Sequence, residues 1–217
     1  MNKTNQYLNE MGIESFWYKN TKKISSKPPP TANLMSLEKI VSNCTKCELH
    51  KTRNKTVFGD GNTSAKILFI GEAPGREEDK EGKPFVGRAG RLLTEVLDSV
   101  GLSRKNIYIT NTVKCRPPSN RNPSDEEVEY CADYLEKQIE EINPKIIVLL
   151  GRIAADRIIK NENSMSELRK KTFFLESKNI PTIVFYHPAY LLRNPKEKRK
   201  VWEDLMYLKS VMKEYDC

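Results

Sequence analysis

The chain has 217 residues, enough for one α/β domain with a full hydrophobic core and too few for two domains of ordinary size. Its formal net charge of +8 favours a polyanionic partner such as nucleic acid, although a lysine-rich proteome explains that charge equally well. No signal-peptide core opens the chain, and no stretch approaches the roughly eighteen consecutive apolar residues of a membrane span. We therefore expect a cytoplasmic protein, monomeric by default, that does not bind a membrane.

The first 35 residues are expected to form an arm outside the main domain. Residues 5–18 carry apolar side chains at helical spacing, but SSKPPPTAN at 25–33 cannot continue a helix and is typical of an exposed polyproline-type linker. The predicted division is an arm at 1–35 and a folded domain at 36–217. The arm is a candidate contact for a replication or repair protein.

Four apolar runs after the arm predict buried strands, and helical patterns lie between them. The predicted strands are AKILFIG (65–71), NIYITNT (106–112), KIIVLLG (145–151) and PTIVFYH (181–187). Helices are predicted at 87–101, 123–143, 152–160 and 196–213, the second of them opening with a capping box of Ser124 and Glu127. This alternation predicts an α/β fold of three layers, α/β/α, around a central four-stranded, mostly parallel sheet.

Three of the four predicted strands run directly into conspicuous polar sequences. These are GEAPGREED (71–79), NTVKCRPP (111–118) and HPAYLLR (187–193). Each signal alone is weak, because a glycine-rich turn, an asparagine at a strand end or a histidine before a proline is more often structural. Binding sites in such folds form at the carboxyl ends of the strands, so the coincidence of the three predicts a functional site there.

Five cysteines in a reducing compartment favour a metal site or a catalytic thiol over disulfides. Four of them, Cys44 and Cys47 in CTKC together with Cys115 and Cys131, are candidate ligands of zinc or of an iron–sulfur cluster, and His50 could replace one of them. Their spacing alone slightly favours zinc. Cys217, at the chain end, is expected to be a bystander.

From about Leu37 to Met212 the chain resembles the uracil-DNA glycosylase superfamily, and most closely its iron–sulfur family 4 branch. Four motifs carry the resemblance: GEAPGREED, PFVGRAG (84–90), NTVKCRPP and HPAYLLR. The resemblance implies a base-excision-repair enzyme that acts on uracil-containing DNA, single- or double-stranded, by flipping deoxyuridine out and hydrolysing its N-glycosidic bond. It also implies a structural [4Fe-4S] cluster held by Cys44, Cys47, Cys115 and Cys131.

The resemblance assigns roles in the base pocket as well. Phe85 would stack on the uracil, while Asn111 would donate to O4 and accept from N3–H, a pattern that cytosine cannot match. His187 would donate to O2 of the departing uracil, and Glu72 would orient water or stabilise the sugar cation. The full set of implied uracil-binding residues is Gly71, Glu72, Ala73, Phe85, Asn111 and His187, of which Glu72 and His187 are catalytic.

The first motif departs from the best-known branch of the superfamily, in which an Asp activates water and a Tyr excludes the methyl group of thymine. Ala73 and Gly75 stand at those two places, and family 4 shares the departure. The water-positioning group and the thymine gate therefore stay open, with Glu72 a candidate for the first and Glu78 for the space near C5. No lysine in the motifs is placed to attack the sugar, which predicts a monofunctional enzyme.

Base flipping requires a wedge and a basic rim. Three apolar or aromatic residues are candidates for the wedge, with core packing as the alternative for the two leucines: Tyr190, Leu191 and Leu192. The candidate phosphate contacts are Arg193, Lys114, Arg116 and Arg121. Two rival functions use the same fold, a covalent uracil-DNA binder that needs a histidine in a basic loop after the second strand, and a non-catalytic adaptor. The loop here reads CRPPSNRNPSDEE and lacks that histidine.

Overall fold

The computed structural model describes residues 33–160, 163–175 and 178–217. The predicted helical segment at 5–18 and nearly all of the proline-rich linker lie outside the described residues. Among the residues that the structure describes, no helix has both the length and the apolar character needed to cross a membrane.

A six-stranded sheet forms the middle layer of the fold. Its strands are β1 (Asp60–Gly61), β2 (Ile67–Gly71), β3 (Tyr108–Asn111), β4 (Ile146–Leu150), β5 (Phe173–Leu175) and β6 (Ile180–Phe185). They lie in the order β1-β3-β2-β4-β6-β5, with the four inner strands parallel and the two edge strands antiparallel to their neighbours. The inner strands are the four that the apolar runs predict, and the sheet gains β1 and β5, which are too short to give a periodic signal.

Eight α-helices surround this sheet in the described part of the chain. They are α1 (Leu34–Ser42), α2 (Arg76–Glu81), α3 (Arg88–Asp98), α4 (Asp125–Ile142), α5 (Arg152–Ile159), α6 (Met165–Leu168), α7 (Pro188–Arg193) and α8 (Lys198–Glu214). The four predicted helices are confirmed as α3, α4, α5 and α8. At the start of α4 the Ser124 side chain accepts a hydrogen bond from the Glu127 amide, and the Glu127 carboxylate accepts one from the Ser124 amide, so the predicted capping box is present.

Successive residues of the inner strands pack on opposite faces of the sheet, as the pleat requires. Phe69 and Val148 belong to one hydrophobic cluster, together with residues of α3 and α8. Leu68 and Leu149 belong to another, together with residues of α4 and α5. The α/β/α layering is therefore confirmed, and the carboxyl ends of the four inner strands meet at one edge between the layers.

A buried ion pair fixes the last helix beside that edge. Arg169 donates from Nε to both carboxylate oxygens of Asp204 on α8, at 2.8 and 2.9 Å, and from Nη2 to the carbonyl of Lys200 at 2.7 Å. The two charged side chains are only 5% and 1% exposed. The Arg169 guanidinium also lies 5.0 Å from the ring centroid of Tyr186, which follows β6. The pair therefore joins α8 to the end of the sheet that carries the candidate site.

Replacing Arg169 by Met should lower the free energy of unfolding by roughly 3–5 kcal/mol, because the substitution leaves Asp204 buried without its partner. Urea unfolding followed by circular dichroism measures the effect. The matched control is Lys170→Met, which breaks a 3.3 Å pair between Lys170 and Glu203 whose side chains are 53% and 44% exposed. The control should cost less than about 1 kcal/mol, and equal losses in the two variants would contradict the assignment.

Candidate active site at the carboxyl ends of the strands

A cavity of about 690 Å³ opens at the carboxyl ends of the inner strands. The predicted motifs all contribute to its wall, with Glu72 after β2, Phe85 after α2, Asn111 at the end of β3 and His187 after β6. Because the four inner strands are parallel, the segments that follow them are brought to the same edge. The predicted coincidence of the motifs at one site is confirmed.

Asn111 places an unpaired hydrogen-bond acceptor in this wall. Its side chain is 1% exposed, and its Oδ1 is buried with no hydrogen-bond partner among the described residues. A buried polar atom costs about 1–3 kcal/mol unless a protein group, water or a ligand satisfies it. Oδ1 of Asn111 is therefore placed to accept from an N–H or O–H donor in the cavity.

Glycine at position 71 allows Asn111 and Phe85 to approach each other. Gly71 pairs with Asn111 in the register of β2 and β3. A Cβ atom on Gly71 would overlap Oδ1 of Asn111 and would lie 2.6 Å from Cζ of the Phe85 ring. Only a residue without a side chain fits between them, so the pocket requires glycine at position 71, the last residue of β2.

Phe85 has a left-handed backbone, with φ of +54°. Such a conformation is costly for an aromatic residue and persists where the surroundings hold it. Here Oε1 of Glu78 accepts hydrogen bonds from the amides of Val86 at 3.0 Å and Gly87 at 2.8 Å. On the other side Arg104 donates to the carbonyl of Pro84 at 3.1 Å and to that of Phe85. Sequence reasoning missed Arg104, because it lies in no motif and acts only through the backbone.

His187 presents a hydrogen-bond donor to the cavity. Its Nδ1 accepts from the amide of Ala189 at 3.1 Å, which caps α7. A neutral imidazole that accepts at Nδ1 carries its proton on Nε2. Burial, with a smaller contribution from Arg193, lowers the pKa of His187 to about 4, and Glu78 opposes the shift. At neutral pH the ring is therefore uncharged, and it lies 5.7 Å from the Phe85 ring between centroids.

Two carboxylates complete the wall. Burial raises the pKa of the half-buried Glu72 carboxyl, and nearby Arg157 opposes that shift. The carbonyl of Glu72 accepts hydrogen bonds from Thr112 Oγ1 at 2.6 Å and the Val113 amide at 3.2 Å, which ties the end of β2 to the end of β3. The second carboxylate, that of Glu78, fills the space beside Gly75, where a Cβ atom would lie 2.7 Å from its Oε2.

Two of the predicted DNA contacts are wrong. Lys114 is 1% exposed, and its ammonium donates to Thr110 Oγ1 and to the Asn111 carbonyl, both at 2.7 Å, so it does not face a phosphate. Leu191 is 2% exposed and belongs to the hydrophobic cluster under α3 and α8, so it packs in the core instead of acting as a wedge. Leu191 turns inward because α7 packs against α3, and Lys114 turns inward because its ammonium finds its acceptors at the end of β3.

The remaining candidates lie at or near the cavity mouth. Tyr190 lines the cavity and stacks on Tyr186 with a centroid distance of 5.0 Å. Leu192 is half-buried and Arg193 is exposed. Two further arginines already have protein partners, Arg116 with Asn120 Oδ1 at 2.7 Å and Arg121 with the Glu127 carboxylate at 2.6 and 2.8 Å. Their contacts with DNA stay predictions.

The four candidate metal ligands surround a second, smaller cavity. Cys44 follows α1, Cys47 precedes the 3₁₀-helix at Glu48–Lys51, Cys115 follows β3 and Cys131 lies in α4, and all four line this cavity. Burial raises the pKa of three thiols, those of Cys47 and Cys115 and that of Cys131, the last to about 12. In the described residues no three His, Cys, Asp or Glu side chains are close enough to share one metal ion.

Two neighbours of the thiols are already engaged. Arg53 donates from Nη1 to the sulfur of Cys115 at 3.0 Å. The Nδ1 atom of His50 lies 2.7 Å from the carbonyl oxygen of Cys47 and must donate to it, because a carbonyl only accepts. That nitrogen of His50 is therefore not available as a ligand in this conformation.

The model of the uracil DNA glycosylase superfamily matches residues 58–206. The chain belongs to this superfamily. A type-4 uracil-DNA glycosylase of Archaeoglobus fulgidus is 48% identical over 170 residues, which cover 76% of this chain and 85% of that protein. One of Thermotoga maritima is 47% identical over 178 residues, covering 80% and 91%. A type-5 uracil-DNA glycosylase of Pyrobaculum aerophilum is 30% identical over 146 residues, covering 60% and 64%. The greater similarity to the type-4 proteins confirms the resemblance that the four motifs carry.

The low pKa of His187 predicts a pH dependence of stability. The pKa is about 4 in the folded protein and 6.5 in the unfolded chain, so the unfolded chain binds more protons between these values. The contribution of His187 to stability is therefore complete above pH 6.5 and is lost as the pH falls toward 4. In urea unfolding at several pH values, His187→Gln should flatten this part of the profile. A wild-type slope in the His187→Gln variant would refute the prediction.

Proposed function

We propose that this protein is a monofunctional uracil-DNA glycosylase of base excision repair. It hydrolyses the N-glycosidic bond of a flipped-out deoxyuridine, releasing uracil and leaving an abasic site in an uncut strand. The observation that carries the proposal is the unpaired Oδ1 of Asn111 in a cavity wall shared with Phe85 and His187. The names of the type-4 relatives, as uracil-DNA glycosylases, support the same activity.

Recognition of uracil depends on the Asn111 amide. Its Oδ1 accepts from uracil N3–H, which supplies the missing partner, while its Nδ2 donates to O4. Cytosine has no proton on N3, so the N3 lone pair would face the lone pair of Asn111 Oδ1. Its amino group at position 4 is a donor and would face the donor Nδ2 of Asn111. A site built to hydrogen-bond one base rejects a mismatched base strongly, because its own buried groups are then left unpaired.

Phe85 and Glu78 define the shape of the base pocket. The Phe85 ring provides the plane on which the flipped base stacks, and stacking of this kind compensates part of the few kcal/mol lost when the base leaves the duplex. The Glu78 carboxylate is fixed by the amides of Val86 and Gly87 and occupies the space beside Gly75. Glu78 is therefore the group that excludes the C5 methyl of thymine, in place of a tyrosine at position 75.

The reaction is dissociative in character. As the bond between C1′ and N1 breaks, its electron pair stays on uracil, the sugar becomes cationic, and the oxygen of a water molecule then adds to C1′ and loses a proton. The Nε2–H of His187 donates to uracil O2, and this hydrogen bond strengthens as negative charge develops on the base. The Glu72 carboxylate stabilises the sugar cation and orients the water.

The lining of the cavity supports a monofunctional enzyme. A glycosylase that also cuts the strand uses an amine as its nucleophile. Among the described residues that line the cavity there is no lysine. The partner is uracil-containing DNA, single- or double-stranded, with Tyr190 and Leu192 as the wedge and Arg193 and Arg116 at the phosphates. A monomeric state, a cytoplasmic location and an arm that contacts a replication or repair protein also stay predictions from the sequence.

A labelled uracil-containing oligonucleotide distinguishes this function from its two rivals. After incubation with the protein and treatment with alkali, the proposed enzyme gives many strand breaks per protein molecule, and none before alkali. A covalent uracil-DNA binder would give a stable adduct, and a non-catalytic adaptor would leave the strand intact. A thymine-containing oligonucleotide of the same sequence is the control and should stay uncut.

We also propose a [4Fe-4S] cluster bound by Cys44, Cys47, Cys115 and Cys131. The four thiols line one cavity, and their chemistry suits either zinc or an iron–sulfur cluster. The resemblance to family 4 and the names of the type-4 relatives favour the cluster. Held by these four residues, a cluster would join α1, the segment after β3 and α4, and its role would be structural.

The purified protein should be brown, with a broad visible absorption, and should contain iron and sulfide. Because metal binding to a folded site contributes directly to folding stability, removal of the cluster by oxidation and a chelator should abolish the colour and lower the melting temperature. Absorption spectra, iron analysis and thermal melting test this together. Colourless, active protein with stoichiometric zinc would contradict the cluster.

Asn111→Asp should reduce uracil excision sharply, because a carboxylate replaces the donor to O4 with an acceptor. The same acceptor suits the amino group of cytosine, so excision of cytosine should rise relative to that of uracil. Single-turnover rates on matched uracil and cytosine oligonucleotides measure both effects. Unchanged uracil excision would mean that Asn111 serves only the packing of the strand end.

His187→Ala should slow the chemical step by about 10²–10³-fold, as expected for loss of a hydrogen-bond donor to a developing anion. Binding of uracil-containing DNA should hardly change, because the bond gains its strength during the reaction. The test is single-turnover excision, with DNA affinity and thermal melting measured on the same preparation. A variant that melts like the wild type and reacts within a few-fold of its rate would exclude this role.

A further inference from the structure

Lys114 lies between the uracil cavity and the cysteine cavity. It is the third residue after Asn111 and directly precedes Cys115. Lys114 lines the cavity formed by the four cysteines, and its backbone N–H donates to Cys131. Its ammonium donates to the backbone carbonyl of Asn111 and to Thr110 Oγ1, both at 2.7 Å. One buried residue thus contacts both sites.

The position of this ammonium needs a physical reason, because a buried charge is strongly unfavourable without a counter-charge. The two oxygen atoms that accept its hydrogen bonds are neutral, so they satisfy its N–H groups but do not balance its charge. A metal centre held by the four cysteines would have thiolate ligands and would therefore be anionic. Such a centre beside Lys114 would supply a counter-charge for the buried ammonium.

The backbone around Lys114 is tied to both neighbouring segments. Its carbonyl accepts from the Val57 amide at 2.8 Å, and the Val113 amide donates to the Glu72 carbonyl at 3.2 Å. Asn111 itself is the last residue of β3, where the regular pairing of the strand with β2 ends. The hydrogen bond from Lys114 therefore acts on the backbone of Asn111 at the end of the strand, next to the bond from the Thr112 amide to the Gly71 carbonyl at 2.9 Å.

We propose that Lys114 is a positioning residue that couples the cysteine-bound metal centre to the uracil reader, by holding the backbone of Asn111 while the anionic centre holds its ammonium. This inference rests on the proposed function. It explains how a centre that takes no part in hydrolysis contributes to recognition of the base. It also gives a structural role to Lys114, which the sequence analysis named as a candidate contact for DNA phosphate.

The first test is a double-mutant cycle on iron-loaded protein. Lys114→Met keeps the length of the side chain and removes its charge and its donors, so single-turnover excision of uracil should fall at least about tenfold in an otherwise wild-type chain. In the Asn111→Ala background the same substitution should change the rate by less than about twofold, because Lys114 acts through Asn111. Equal losses in both backgrounds would overturn the coupling.

The second test measures the metal centre and does not use activity. Loss of visible absorption in excess chelator should be about tenfold faster for Lys114→Met, since removal of an outer-shell partner weakens metal binding. The matched control is Lys145→Met, whose ammonium donates to the Asp216 carbonyl at 3.0 Å at the amino end of β4. The control should match the wild type in both tests, and an unchanged chelation rate in Lys114→Met would refute its pairing with the centre.

The two proposals fail separately. If the wild-type protein releases no uracil, the proposed function is wrong and the coupling falls with it. If the wild type releases uracil and Lys114→Met slows excision by the same factor with and without Asn111→Ala, only the coupling is wrong. Conservative rescue gives a further check, because Lys114→Gln retains a donor and should recover part of the rate that Lys114→Met loses.

Discussion

The unpaired Oδ1 of Asn111 is the constraint around which the site is built. A buried acceptor without a donor destabilises the fold, and the structure places this one at the end of a central strand, where the sheet edge faces a cavity. Gly71 makes room for it, and Phe85 covers it in a strained backbone conformation that Glu78 and Arg104 hold. Oδ1 of Asn111 is thus held in the cavity wall, where a donor from a ligand can pair with it.

The pKa values of Glu72 and His187 are shifted by the same burial. Burial raises the pKa of Glu72 and lowers that of His187 to about 4, so the site favours a neutral imidazole. A neutral donor suits a leaving group that departs as an anion, since the imidazole stabilises charge without having to transfer a proton. The polar groups of the cavity therefore act mainly because they are held in fixed positions. Those positions depend on glycines such as Gly71 and on hydrogen bonds to the backbone of the cavity wall.

Much of this arrangement follows from sequence. The continuous apolar runs predicted all four inner strands, because a parallel sheet covered on both faces is apolar along its whole length, and the Ser124–Glu127 pair predicted the start of α4. The edge strands β1 and β5 were not predicted, because a strand of two or three residues is too short to show a periodic pattern of apolar side chains. The sequence also did not predict which way individual side chains point. Lys114 was a candidate phosphate contact and Leu191 a candidate wedge, yet both are buried. Composition predicts a basic surface but does not say which lysines lie on it.

A crystal structure of the protein with uracil bound tests the central claim most directly. The account predicts that N3 of the base lies within about 3.2 Å of Asn111 Oδ1 and that O2 lies within the same distance of His187 Nε2. The base should stack on Phe85, with C5 toward Glu78. Uracil bound elsewhere, or bound in this cavity with Asn111 Oδ1 still unpaired, would contradict it.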